Sequence, residues 1–143
     1  MADITKITRG MQNGAETIDS NFNKINDELK TMEYPDDTPW KNLTLVGGWS
    51  ATVANYRVRK GMLHINILGM KTPALAANSS TTFATLPISA RPANTFQGAP
   101  IIVYGGMSGS LIVNTDGTLV YRVGGNAVTT DNSTYIYTSV PLD

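Results

Sequence analysis

A chain of 143 residues has room for one domain or a small domain with an appendage, and its 41% hydrophobic content is enough for a packed core. It carries eleven basic and eleven acidic side chains and no cysteine, which excludes disulfides, thiol chemistry and the basic excess that holds nucleic acid. No signal-peptide pattern opens the chain, and no apolar stretch approaches the roughly 18 residues of a membrane span.

The charge is unevenly spread. Residues 1–37 hold 8 of the 11 acids and 4 of the 11 bases, a balance of −4, and residues 38–143 balance them at +4. Residues 1–12 come first, with Ile4, Ile7 and Met11 spaced along a segment that Gly10 interrupts. They predict an extended or partly coiled arm able to dock on another protein.

The helix that follows spans Asn13–Glu33. Its apolar residues are Ala15, Ile18, Phe22, Ile25, Leu29 and Met32, at steps of 3, 4, 3, 4 and 3. Such alternation averages 3.5 residues and keeps one stripe facing a partner helix, the seam of a coiled coil. Asn13 suits the cap, with Glu16 three places on, and Pro35 stops the helix. Everything between the seam residues is polar or charged. The stripe must therefore be covered by the downstream domain or by copies of itself. Phe22 is bulky for a two-stranded seam, so three strands fit better than two.

Residues 35–42 read as a stiff linker containing Pro35 and Pro39, with Trp40 expected to pack on the next domain. From Leu43 onward the period changes to 2. In the hairpin Asn55–Leu68, Tyr56 and Val58 alternate with Arg57 and Arg59, Lys60-Gly61 turns the chain, and Leu63, Ile65 and Ile67 alternate with His64 and Asn66. Further strands are predicted at 81–86, 100–104, 109–114, 118–123 and 134–138, with Asp116-Gly117 as a hairpin turn and a loop at 72–80. The fold class is thus mainly β: an N-terminal trimeric coiled-coil helix, then a small antiparallel β-barrel or jelly-roll-like head. The boundaries are 1–34 for arm and helix, 35–42 for the linker and 43–143 for the head.

The head offers little to catalysis. It has one histidine and three carboxylate side chains, Asp116, Asp131 and Asp143. A glycosidase needs two carboxylates set roughly 5–10 Å apart across a sugar, and these lie in a turn, a loop and the terminus. No nucleophile-elbow pattern and no metal-ligand spacing occurs, so no enzyme, metal or cofactor is expected. A sugar site needs less: an aromatic face and planar polar side chains. The candidates are His64, Asn66, Asn114, Tyr121, Arg122 and Asp131. Arg57 and Arg59 share a pleat face with His64 and Asn66, and that face is either solvated or suited to phosphate.

The string Arg9-Gly10-Met11, then Asn13-Gly14-Ala15-Glu16-Thr17-Ile18, then Ile25-Asn26 and Glu28-Leu29, resembles the N-terminus of the receptor-binding proteins of lactococcal siphophages, also called lower baseplate proteins. Leu86-Pro87, Arg91-Pro92 and the ending Val140-Pro141-Leu142-Asp143 are similar to parts of their heads. The resemblance implies a homotrimer in the virion, at the distal tail. Its N-terminus would join another baseplate protein, and its head would bind host cell-surface polysaccharide near a late hairpin, here about Leu111–Val123. Some relatives carry His and Asp before that turn, where this chain has Ile112 and Asn114. The competing readings are a structural baseplate or fibre subunit without sugar binding, and a wall-polysaccharide hydrolase.

Overall fold

The computed structural model describes residues 3–32, 37–103, 106–130 and 133–143, the side chains of 31, 32, 106 and 107 excepted. The chain divides into two compact units, Met1–Pro35 and Asp36–Asp143.

The first unit is built on one helix, α1 (Gly14–Met32). Asn13 enters it in the left-handed region, at φ 63, rather than in the extended conformation of a side-chain cap. Its carbonyl accepts from the Thr17 N–H and from Thr17 Oγ1, each at 3.1 Å. The arm turns at Gly10, at φ 74, and doubles back along the helix. Asn21 holds it there with both halves of its amide: Nδ2 donates to the Thr5 carbonyl at 2.9 Å, and Oδ1 accepts from the Thr5 N–H at 3.1 Å. Lys24 Nζ adds a bond to the Asp3 carbonyl at 3.1 Å. Asn21 is buried by this contact, whereas Ile18, Phe22, Ile25 and Leu29 stay exposed. A groove of about 160 Å³ runs between the arm and the helix, lined by Ile7, Ile18, Asn21, Phe22 and Ile25.

The second unit is a single eight-stranded antiparallel sheet. Its strands are β1 (Lys41–Asn42), β2 (Val53–Arg59), β3 (Met62–Lys71), β4 (Ser80–Thr85), β5 (Phe96–Val103), β6 (Gly106–Val113), β7 (Thr118–Val123) and β8 (Ser133–Pro141). Their spatial order is β1-β2-β3-β8-β5-β6-β7-β4. The sheet curls into a partial barrel: the segment after β1 reaches β4 at the other end of the order. Leu45 bridges to Ala84, and the Val46 N–H donates to the Phe83 carbonyl at 2.9 Å.

Alternation decides what lies inside. Leu63, Ile65 and Ile67 of β3 are buried together with Phe83, Leu111 and Ile136. Trp49 packs its ring 5.3 Å from Phe83 and 5.9 Å from Tyr121, centroid to centroid. Among the described residues the strands expected from the sequence form, with differences at their ends; residue 104, expected in the strand at 100–104, lies outside those residues. β5 starts at Phe96, β8 runs to Pro141, and a two-residue β1 lies in the stretch taken as linker. Residues just before β1 are also tied to β2. The Thr38 N–H donates to the Val58 carbonyl at 2.8 Å, and Asp37 Oδ1 accepts from the Lys60 N–H at 2.6 Å.

Candidate functional site

The register across β2, β3 and β8 builds a polar surface row by row. Arg57 stands opposite His64, and His64 opposite Ser139. The next row is Asn55, Asn66 and Tyr137. Their neighbours in sequence point into the core, so these side chains share the outer face. Ser139 Oγ and His64 Nδ1 are 2.7 Å apart. The Arg57 guanidinium lies 4.6 Å from the centre of the Trp40 ring. Trp40 thus supports an arginine and remains partly exposed instead of joining the core. Burial, then the charges of Arg57 and Arg59, hold the His64 imidazole below its ordinary pKa. Two buried polar atoms on this face, Asn55 Oδ1 and Arg57 Nε, have no hydrogen-bond partner.

Beside this face the sheet opens. Among the described residues β5 pairs with β8 only at Ile102–Tyr135 and Val103–Thr134. A bulge between Gln97 and Ala99, with Gly98 at φ 101, lets the first half of β5 swing off that line. The gap closes again where the Ala93 N–H donates to the Leu142 carbonyl at 2.7 Å. Between these ties lies a slot of about 280 Å³, near the lower end of the usual range for ligand pockets. Its floor is apolar, with Phe96, Leu111, Val113 and Val140, and its rim carries Gln97, Thr138 and Ser139. Along it, β8 has a ladder partner on its β3 side only. Main-chain groups and hydroxyls are therefore available above an apolar floor, which suits the two faces of a sugar ring. Ser139 belongs both to the slot and to the His64 row.

The residues expected around the late hairpin are used differently. Asn114 Nδ2 donates to Thr118 Oγ1 at 2.9 Å, and Asn114 main-chain groups bond Thr118 and Gly117, so this side chain closes its own turn. Asp116 Oδ1 accepts from Thr118 Oγ1 at 2.7 Å and from the Thr118 N–H at 2.9 Å; these bonds hold its carboxyl below the usual carboxylate range. Tyr121, a candidate for the site, faces the core instead. It is wholly buried against Trp49, its hydroxyl bonds Ser108, and burial raises its pKa above the ordinary value. It alternates inward on β7, and no ligand at the surface can stack on it. Arg122 is exposed on β7, with Ser110 and Ser80 opposite it on β6 and β4. Three strands, β8, β5 and β6, separate β7 from β3 in the sheet order, so within one chain Arg122 does not join His64 and Asn66. Asp131 lies outside the described residues.

Gln97, Thr138 and Ser139 escaped the sequence reading. Their signal was faint: a Gly flanked by Gln97 and Ala99, which marks a bulge only once the strand is known. Among the described residues no group of three or more His, Cys, Asp or Glu comes together to hold a metal.

No family model and no curated protein sequence matches the chain. Among solved structures it is similar to the head domain of phage bIL170, described in work asking whether the receptor-binding domains of lactococcal phages share a common fold. The TM-score is 0.63 at 20% identity, over 75% of this chain and all of that one. This likeness establishes the fold: a mainly β head-domain sheet.

Proposed function

We propose that this chain is a phage receptor-binding protein that recognises host cell-wall saccharide without chemical turnover. The observation that carries the reading is the likeness of its β fold to a receptor-binding head over the whole of that domain. The family resemblance of residues 9–29 points the same way. The slot between β5 and β8 supplies a place for a sugar ring, with Gln97, Thr138 and Ser139 as hydrogen-bonding groups and His64 and Asn66 on the adjoining face.

In this reading residues 1–34 attach the protein to another baseplate protein, and residues 43–143 carry the receptor site. Three copies assemble through Ala15, Ile18, Phe22, Ile25, Leu29 and Met32, which makes three weak sites act as one strong one. The protein then sits in the virion at the distal tail. The test is surface plasmon resonance of the full chain over purified lactococcal wall polysaccharides. Binding that Thr138→Val and Gln97→Ala weaken, each by about 1–3 kcal/mol, supports the reading. A folded protein that binds none of the polysaccharides and no wall preparation is instead a structural subunit.

A further inference from the structure

We infer that Arg57, Arg59 and His64 form an oxyanion site on the outer face of the β2–β3 hairpin, one that takes a phosphoryl group. The inference deepens the receptor-binding reading, on which it rests for the source of that group: an ester carried on a saccharide, or free phosphate.

The first argument is an imbalance of charge. Arg57 and Arg59 are two positions apart on β2 and share its outer face. Among the described residues no ion pair engages either one. Arg59 is exposed, and water answers its charge. Arg57 is half-buried, and its Nε is buried with no partner at all. No carboxylate of the described residues therefore neutralises this pair of guanidinium groups. The Trp40 ring stabilises the guanidinium from one side and fixes its plane, but it accepts no hydrogen bond in that plane. A planar, fixed guanidinium is the group best matched to the paired oxygens of a phosphate.

The second argument is His64. Its Nδ1 is engaged with Ser139 Oγ, which fixes the ring and leaves Nε2 for another group. The charges facing it are Arg57 and Arg59 from β2, and its neighbours on β8 are Ser139 and Tyr137, neither of them a carboxylate. The field that disfavours the imidazolium is the same field that attracts an anion. An oxyanion seated among these groups reverses that field, favours the imidazolium and gains a further donor. Protonation of His64 and binding of the anion therefore favour each other.

The chain contains one histidine, so the imidazole proton resonances report His64 alone. The experiment titrates the full chain by NMR from pH 8 to pH 5 with inorganic phosphate, glucose 1-phosphate, glucose, or chloride at matched ionic strength. Both phosphates are expected to move the His64 midpoint upward, saturably, while glucose and chloride leave it in place. Arg57→Gln abolishes the movement. The exposed Arg59→Gln reduces it and serves where Arg57→Gln fails to fold. A lower saturating concentration for glucose 1-phosphate than for phosphate assigns the group to a sugar ester, and equal concentrations assign it to the free ion. A midpoint indifferent to both phosphates overturns the inference, and so does an equal movement in chloride or in both arginine variants. Polysaccharide binding with an indifferent His64 removes this site and leaves the receptor-binding reading standing. A responsive His64 without polysaccharide binding does the reverse.

Discussion

In the β unit Leu63, Ile65, Ile67 and Phe83 are fully buried, while on α1 Phe22, Leu29 and Ile18 keep 61%, 56% and 45% of their surface. Both regions carry a regular apolar pattern, and the difference lies in what can cover it. A period of 2 gives a sheet one apolar face, and a sheet that curls covers that face with itself. A period of 3.5 gives a helix a stripe, and a single helix cannot fold over its own stripe. The arm does not cover it either. Its contacts with α1 run through Asn21 and Lys24, and Ile7 adds to the exposed apolar surface. The sheet thus finds its partner within its own unit, whereas among the described residues of the first unit nothing buries the stripe.

The comparison breaks most clearly at matched phenylalanines. Phe83→Ala empties a site packed against Trp49 and should lower the stability of the β unit by about 3–5 kcal/mol in urea unfolding followed by tryptophan fluorescence. Phe22→Ala should leave that transition in place and shift the assembly equilibrium instead. Ile25→Asp sharpens the point by adding a charge to the stripe. If copies bury it, the cost is on the order of 3–5 kcal/mol per chain, and sedimentation velocity should show dissociation. The β transition again stays unchanged.

Asn21→Ala removes both bonds to Thr5, a loss of about 1–3 kcal/mol for arm docking. Hydrogen exchange at the Thr5 amide should accelerate while the β amides keep their protection. Gly117→Ala tests a local demand in the β unit. Gly117 sits at φ 88, and a Cβ there meets the Leu86 carbonyl oxygen and Arg91 Nε at 2.7 Å, so a loss above about 1 kcal/mol is expected in thermal unfolding. The smallest effect is one of pH. The His64 pKa is lowered on folding, so the unfolded chain binds the proton more readily. The neutral form therefore contributes stability above the unfolded value of about 6.5, and this is lost as pH falls through that value toward the folded one. His64→Gln should flatten that slope in a series of unfolding midpoints.

The fold was legible where alternation and turn chemistry agree. Arg57, Arg59, His64 and Asn66 share a face because pleating requires it, and the Asp116-Gly117 turn forms through the Asp116–Thr118 bonds that its residue types favour. β1 was not legible, because a strand of Lys41 and Asn42 has no pattern and exists only by pairing with Tyr56 and Asn55. The start of β5 was hidden by Gly98, which breaks the pattern before the strand predicted from Pro100 and turns out to sit in a bulge. The slot was less legible still. It depends on β8 lying beside both β3 and β5, a long-range choice, and on β5 and β8 then parting after Ile102–Tyr135. Tyr121 misled because its neighbours Arg122 and Asn114 are polar; strand parity, counted from buried Leu119, would have turned it inward.

The claim at the centre of this account is that the α1 stripe is an interface between copies. Multi-angle light scattering of the full chain tests it most directly, because it reads mass without assuming shape. The account predicts three times the 15.4 kDa of one chain, falling to one chain in Ile25→Asp. A mass of one chain for the parent would contradict it.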